Sequence, residues 1–168
     1  MSHTKSSTLA GELGARLREA GWMCACAESC TGGMLAAALT DLPGSSHWFD
    51  RGFVTYSNAA KVQHLRVSVD TLERFGAVSE ETAMEMASGV LASAGEVQLA
   101  FSTTGIAGPE GATPGKPVGM VCFGFAQRVG QGIVTRGMTQ IFEGGRDEVR
   151  RAAVEFALQT ALELLPPR

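Results

Sequence analysis

The stretch Trp22-Met-Cys-Ala-Cys-Ala-Glu-Ser-Cys-Thr-Gly-Gly-Met-Leu-Ala-Ala-Ala-Leu-Thr40 decides the fold. Residues 22–27 form a short apolar run and read as a buried strand. Ser29-Cys-Thr-Gly-Gly33 reads as a turn, and residues 34–40 have the Ala/Leu content of a helix. A strand running through a glycine turn into a helix opens an α/β layer. Upstream, Leu9, Leu13 and Leu17 recur every four residues, which predicts an amphipathic helix over 7–20 stopped by Gly21.

Downstream, residues 49–57 carry Phe53, Val54 and Tyr56 in alternation and read as a strand. A helix over 58–65 opens on Asn58, a good N-cap residue. Asp70-Thr-Leu-Glu73 resembles a capping box. Ser79 caps a longer helix to about residue 94, with Glu80 and Glu81 in its positive first turn. Strands follow over 97–103, 118–126 and 133–142, the last two joined as a hairpin by Gly130-Gln-Gly132. A final helix spans 144–165, and Pro166-Pro167 stops it. The order α-β-α-β-α-α-β-β-β-α predicts a three-layer α/β/α sandwich. Its terminal hairpin makes the sheet mixed, though mostly parallel. With 168 residues and no internal repeat or compositional break, one domain over 1–168 is expected.

Composition excludes several function classes. Hydrophobic residues are 45% and charged residues 18%, so the chain can bury a core. A net charge of −3 gives no basic surplus of the kind that grips phosphate backbones, so a nucleic-acid partner is not expected. No apolar run is long enough for a bilayer, and Met1-Ser-His-Thr-Lys-Ser-Ser7 has no apolar stretch of a leader, so a cytoplasmic protein is expected. The cysteines Cys24, Cys26, Cys30 and Cys122 read as buried thiols of a reducing compartment. The spacing of Cys24 and Cys26 is not a zinc knuckle, and neither His47 nor His64 belongs to a ligand pair, so no metal site is read.

Three groups of residues could carry chemistry. The turn Ser29–Gly33 opens a helix, where free N–H groups suit a phosphate or an oxyanion, though its hydroxyls could equally cap that helix. Gly44-Ser-Ser46, Tyr56 and Lys61 could converge at a strand end. Lys61 is one of three lysines and stands among Ala59, Ala60 and Val62. A serine needs a base, and a lysine serves only where burial lowers its pKa; otherwise it is an ordinary surface lysine. Ser102-Thr-Thr-Gly105 runs from a strand into a loop with seven glycines and prolines over 105–117. Ligands of α/β sheets collect beyond such strand ends. Arg146, Arg150 and Arg151 could meet a phosphate or form a solvated basic face. Cys30, beside Ser29, is an alternative nucleophile, with no histidine nearby to activate it.

Six motifs follow in order: Ala27-Glu-Ser-Cys-Thr-Gly-Gly33, Pro43-Gly-Ser-Ser46, Gly52-Phe-Val-Thr-Tyr-Ser-Asn58 with Lys61, Gly76-Ala-Val-Ser79, Thr104-Gly-Ile-Ala-Gly-Pro109 and Lys116-Pro-Val-Gly119. Together they resemble the C-terminal domain family of the competence/damage-inducible protein CinA, over roughly residues 8–165. The resemblance implies a nicotinamide-nucleotide amidohydrolase that converts nicotinamide mononucleotide to nicotinate mononucleotide and ammonia. It implies a serine–lysine mechanism with no metal or cofactor. Lys61 would be the base, and Tyr56 would orient or relay a proton. The nucleophile lies between Ser46 and Ser29, with Ser46 favoured because Ser29 sits where a helix N-terminus would cradle an anion. Thr104 and Gly105 would line the amide pocket; Thr31, Gly32, Gly33 and Arg146 would hold the phosphate. The small-molecule nucleotide is the expected partner, and a homodimer or higher homo-oligomer the expected state. The alternative is a non-catalytic module of the same family that binds a nucleotide or a protein.

Overall fold

A computed structural model of the chain describes residues 4–168. The first three residues of the stretch read above for a leader lie outside the described residues. The chain runs α1 (Lys5–Ala20), β1 (Cys24–Glu28), α2 (Met34–Thr40), a 3-10 turn (Ser45–His47), β2 (Phe49–Val54), α3 (Asn58–Leu65), α4 (Val69–Phe75), α5 (Glu80–Ser93), β3 (Leu99–Gly105), β4 (Met120–Val129), β5 (Gly132–Ile141) and α6 (Arg146–Glu163). One sheet has the order β2-β1-β3-β4-β5. Strands β2, β1 and β3 are parallel, while β4 and β5 are antiparallel additions, so the sheet is mixed as predicted.

Side chains alternate across the strands and build a core on each face. Cys24 and Cys26 of β1, Leu99 and Phe101 of β3 and Phe123 and Phe125 of β4 face α1, α2 and α6. Ala25, Ala27, Ala100 and Ala126 face α5, which brings Met86, Ala87, Val90 and Leu91. The small residues on the second face let α5 approach closely. At Gly124 a Cβ would overlap the Ala83 carbonyl of α5. This close approach fixes the N-terminus of α5 against the sheet.

Three differences from the sequence reading concern caps. Asn58, read as the N-cap of α3, is its first helical residue, and Ser57 caps the helix instead. The capping box at Asp70 is not formed. Ser68 caps α4 instead, accepting the Thr71 N–H at 3.4 Å, and Asp70 lies in the helix's first turn. The turn after β1 also differs. The helix N-terminus of α2, read as an anion site, is occupied by a carboxylate of the chain itself. Glu28, the last residue of β1, is fully buried. Its Oε1 accepts from Thr31 Oγ1 at 2.6 Å, Gly33 N at 3.2 Å and Leu35 N at 2.8 Å, and its Oε2 accepts from Ala36 N at 3.1 Å. The donors that a helix start leaves unpaired are thus satisfied internally. Glu28→Ala would strand three buried N–H groups, so a loss of about 3–5 kcal/mol is expected in urea unfolding. Glu28→Gln keeps the three contacts of Oε1 and should lose clearly less; equal losses in both variants would contradict this role.

Candidate active site

Strands β1 and β2 are parallel, so the segments that follow them emerge at the same edge of the sheet. The first segment carries Ser29 and the second carries Thr55, Tyr56 and, through α3, Lys61. Ser57 caps α3 by accepting the Ala60 N–H at 3.0 Å, which sets the helix direction. The Lys61 side chain then turns inward and is 1% exposed. Its Nζ donates to Ser29 Oγ at 3.0 Å, to the Thr55 carbonyl at 2.8 Å and to the Tyr56 carbonyl at 3.3 Å. All three acceptors are neutral. Burial without a carboxylate partner therefore lowers the lysine pKa from 10.5 to about 8. The folded state binds fewer protons at Lys61 than the unfolded chain between about pH 8 and 10.5. The group thus opposes folding at neutral pH and ceases to do so as pH rises through that window.

Ser29 is buried and meets Lys61; Ser46 does not. Ser46 is exposed on the 3-10 turn before β2, whereas Lys61 follows the end of β2. The length of that strand, about 20 Å at ~3.3 Å per residue, separates the two. Proximity of Ser46 to Lys61 in sequence was misleading because an extended strand intervenes. The Tyr56 contacts also differ from the expected proton relay. Its carbonyl, not its phenol, accepts from Lys61, and the Ser29 hydroxyl donates to the same oxygen at 3.5 Å. The phenol ring is 61% exposed, and its oxygen accepts from Arg146 Nη2 at 3.2 Å.

These residues line a cleft of about 270 Å³. Ser29, Lys61 and Cys30 form its floor, Ala77 and Val78 one wall, and residues 104–108 with Glu110, Gly111 and Arg146 the remainder. Thr104 lines it, and its Oγ1 donates to the Ala77 carbonyl at 2.8 Å. Gly105 lies so close to Met120 and Val121 that a Cβ would come within 2.8 Å of both. Arg146, at the first position of α6, donates to the Gly108 carbonyl at 2.8 Å as well as to Tyr56. Its guanidinium spans the mouth of the cleft.

The Thr31-Gly32-Gly33 expectation is corrected. None of the three lines the cleft. Thr31 is fully buried, donating to Glu28 and bonded to Thr103 Oγ1 at 2.8 Å. Gly32 instead lies against Arg150, whose Nε donates to the Cys30 carbonyl at 3.1 Å and whose Nη2 donates to the Thr31 carbonyl at 3.2 Å. Arg150 was read as a possible phosphate contact or part of a solvated basic face; no periodicity could have paired it with a turn 120 residues earlier. Glu110 was also missed, since it sits in a loop with no pattern. Cys30 faces the cleft, but burial pushes its thiol up to about 12, which leaves it a poor nucleophile. Among the described residues, no three His, Cys, Asp or Glu side chains cluster as metal ligands would, and no helix is long and apolar enough to cross a membrane.

The family model described as CinA C-terminal domain matches residues 6–165. A protein of Enterobacter agglomerans named nicotinamide-nucleotide amidohydrolase PncC is 54% identical over 162 residues, 96% of each chain. The Escherichia coli (strain K12) protein of the same name is 48% identical over 160 residues, 95% of this chain and 94% of that one. The crystal structure of competence damage-inducible protein A (ComA) from Klebsiella pneumoniae subsp. pneumoniae superposes with a TM-score of 0.89 at 41% identity, covering 95% of this chain and 96% of that one. With a match that runs almost from end to end, the chain belongs to the CinA C-terminal domain family.

Proposed function

We propose that this chain hydrolyses the carboxamide of nicotinamide mononucleotide to nicotinate mononucleotide and ammonia, with Ser29 as nucleophile and Lys61 as its base. The observation that carries the reading is the 3.0 Å contact between Lys61 Nζ and Ser29 Oγ, made by a lysine that burial has brought toward neutrality. The names of the relatives support the substrate.

The hydrogen bonds suggest how the base works. A lysine ammonium has three hydrogens, and here it has three acceptors. When it deprotonates, the Thr55 and Tyr56 carbonyls can hold the two that remain. The lone pair then faces Ser29 Oγ. At pH 7 a group with a pKa of about 8 is neutral in about a tenth of molecules, enough for a general base. Lys61 takes the Ser29 proton as Oγ bonds to the amide carbon and the carbonyl π pair moves to oxygen. The resulting ammonium returns that proton to the amide nitrogen, which leaves as ammonia when the C–N bond breaks. Water then attacks the ester, its proton passing to Lys61 and back to Ser29, and nicotinate mononucleotide departs. A pyridinium substrate helps twice: its charge makes the carboxamide more electrophilic, and a cation near Lys61 favours the neutral amine. Arg146 at the mouth is placed to meet the phosphate, exchanging its Gly108 and Tyr56 contacts for a charge-assisted pair.

Three outcomes check this reading through ammonia release. Ser29→Ala should reduce kcat by at least ~10³-fold while Ser46→Ala turns over at the parent rate; the reverse would return the nucleophile to Ser46. The value of kcat/KM should climb with pH through an apparent pKa near 8 and level off above it, because only the deprotonated amine of the free enzyme is competent. A rate that is flat across that range would exclude Lys61 as the base. Arg146→Ala should raise KM by roughly 10–100-fold, the value of one charged hydrogen-bond partner, with kcat largely kept.

A further inference from the structure

Three successive carbonyls of the turn at Ser29 are held. The Ser29 carbonyl accepts the Gly32 N–H at 3.0 Å. The Cys30 carbonyl accepts Arg150 Nε at 3.1 Å. The Thr31 carbonyl accepts Arg150 Nη2 at 3.2 Å and the Met34 N–H at 3.0 Å. In a planar trans peptide the N–H points away from the C=O. Holding the Ser29 and Cys30 carbonyls therefore also fixes the direction of the Cys30 and Thr31 N–H groups. Among the described residues no other residue accepts from the Cys30 N–H. Cys30 lines the cleft beside Ser29, so this donor can meet a substrate there, whereas Thr31 is fully buried and lies off the cleft.

Acyl transfer needs such donors. Charge develops on the carbonyl oxygen as the serine bonds, and backbone N–H groups already in place stabilise it without reorganising. The seat of Arg150 is built into the fold. Val149 and Ala153 on either side of it in α6 are fully buried, which anchors the helix. Gly32, at φ +57, offers a bare surface; a Cβ there would stand 3.2 Å from Arg150 Nη2. A guanidinium on the carbonyl side also polarises those peptide units, which strengthens the opposite N–H as a donor.

We infer that Arg150 is a positioning residue: by holding the Thr31 carbonyl it fixes the Gly32 N–H of the same peptide on the Ser29 carbonyl, and so aims the Cys30 N–H opposite that carbonyl at the oxyanion formed when Ser29 attacks. This rests on the amidohydrolase reading above, and it assigns Arg150 a part that no substrate contact requires.

The test compares the parent protein with Arg150→Lys and Arg150→Gln. Ammonia release from nicotinamide mononucleotide is measured against substrate concentration and pH, and nicotinate mononucleotide affinity is measured by calorimetry. Arg150→Gln should lower kcat at least ~10-fold, short of or equal to the ~10²–10³ that loss of a whole oxyanion donor costs. KM, product affinity and the pH midpoint should stay within about 3-fold or a few tenths of a pH unit, since substrate and Lys61 are untouched. Arg150→Lys, with its charge but no fork, should fall between the two. Parent kcat in the folded variants overturns the inference. So does a raised KM with parent kcat, which would make Arg150 a substrate ligand. If circular dichroism shows Arg150→Gln unfolded, Arg150→Lys decides: reduced kcat supports the inference and parent kcat overturns it. No ammonia from the parent protein overturns the amidohydrolase reading, and this inference with it.

Discussion

The site depends on one buried carboxylate. Glu28 ends β1 inside the protein and accepts from Thr31, Gly33, Leu35 and Ala36. Charge buried in this way is costly unless every lone pair finds a donor, and here four donors converge. The arrangement welds a strand end to a helix start and leaves Ser29 and Cys30 with no freedom to move away. It also disposes of the positive end of α2. The N–H groups of that helix start are thus already taken by the chain itself.

The lysine is the second constraint. A serine base is often a histidine oriented by a carboxylate, but this pocket offers Lys61 only neutral oxygens. The difference is one of electrostatics. A carboxylate partner would hold the amine charged, whereas carbonyls satisfy its hydrogens and leave burial free to depress its pKa. Without an ion pair, Lys61 gives up its proton more readily than a surface lysine would.

Much of this was legible in the sequence, for identifiable reasons. The leucines of α1 and Ser79 as the cap of α5 follow from local periodicity and capping chemistry, and the limits of α2 and α3 were also read, although Ser57 rather than Asn58 caps α3. The alternation of Cys24 and Cys26 correctly put both on one face. Lys61 stood out because a lysine flanked by alanines and valine is unusual on a surface. What escaped were relations across the chain. Ser46 looked close to Lys61 because sequence distance ignores the strand between them. Glu28 looked like an ordinary member of a motif, yet it fills the helix end that Thr31, Gly32 and Gly33 were expected to offer a ligand. The role of Arg150 needed the packing of α6 against the first turn, which no local pattern encodes.

The acceptors of Lys61 other than Ser29 belong to the main chain of residues 55 and 56. Main-chain oxygens survive any side-chain replacement that leaves the backbone path intact. Evolution can therefore diversify the mouth of the cleft, where the Tyr56 ring projects, without disturbing the amine beneath it. The outer surface of the cleft and the setting of the amine are thus separable features of one fold.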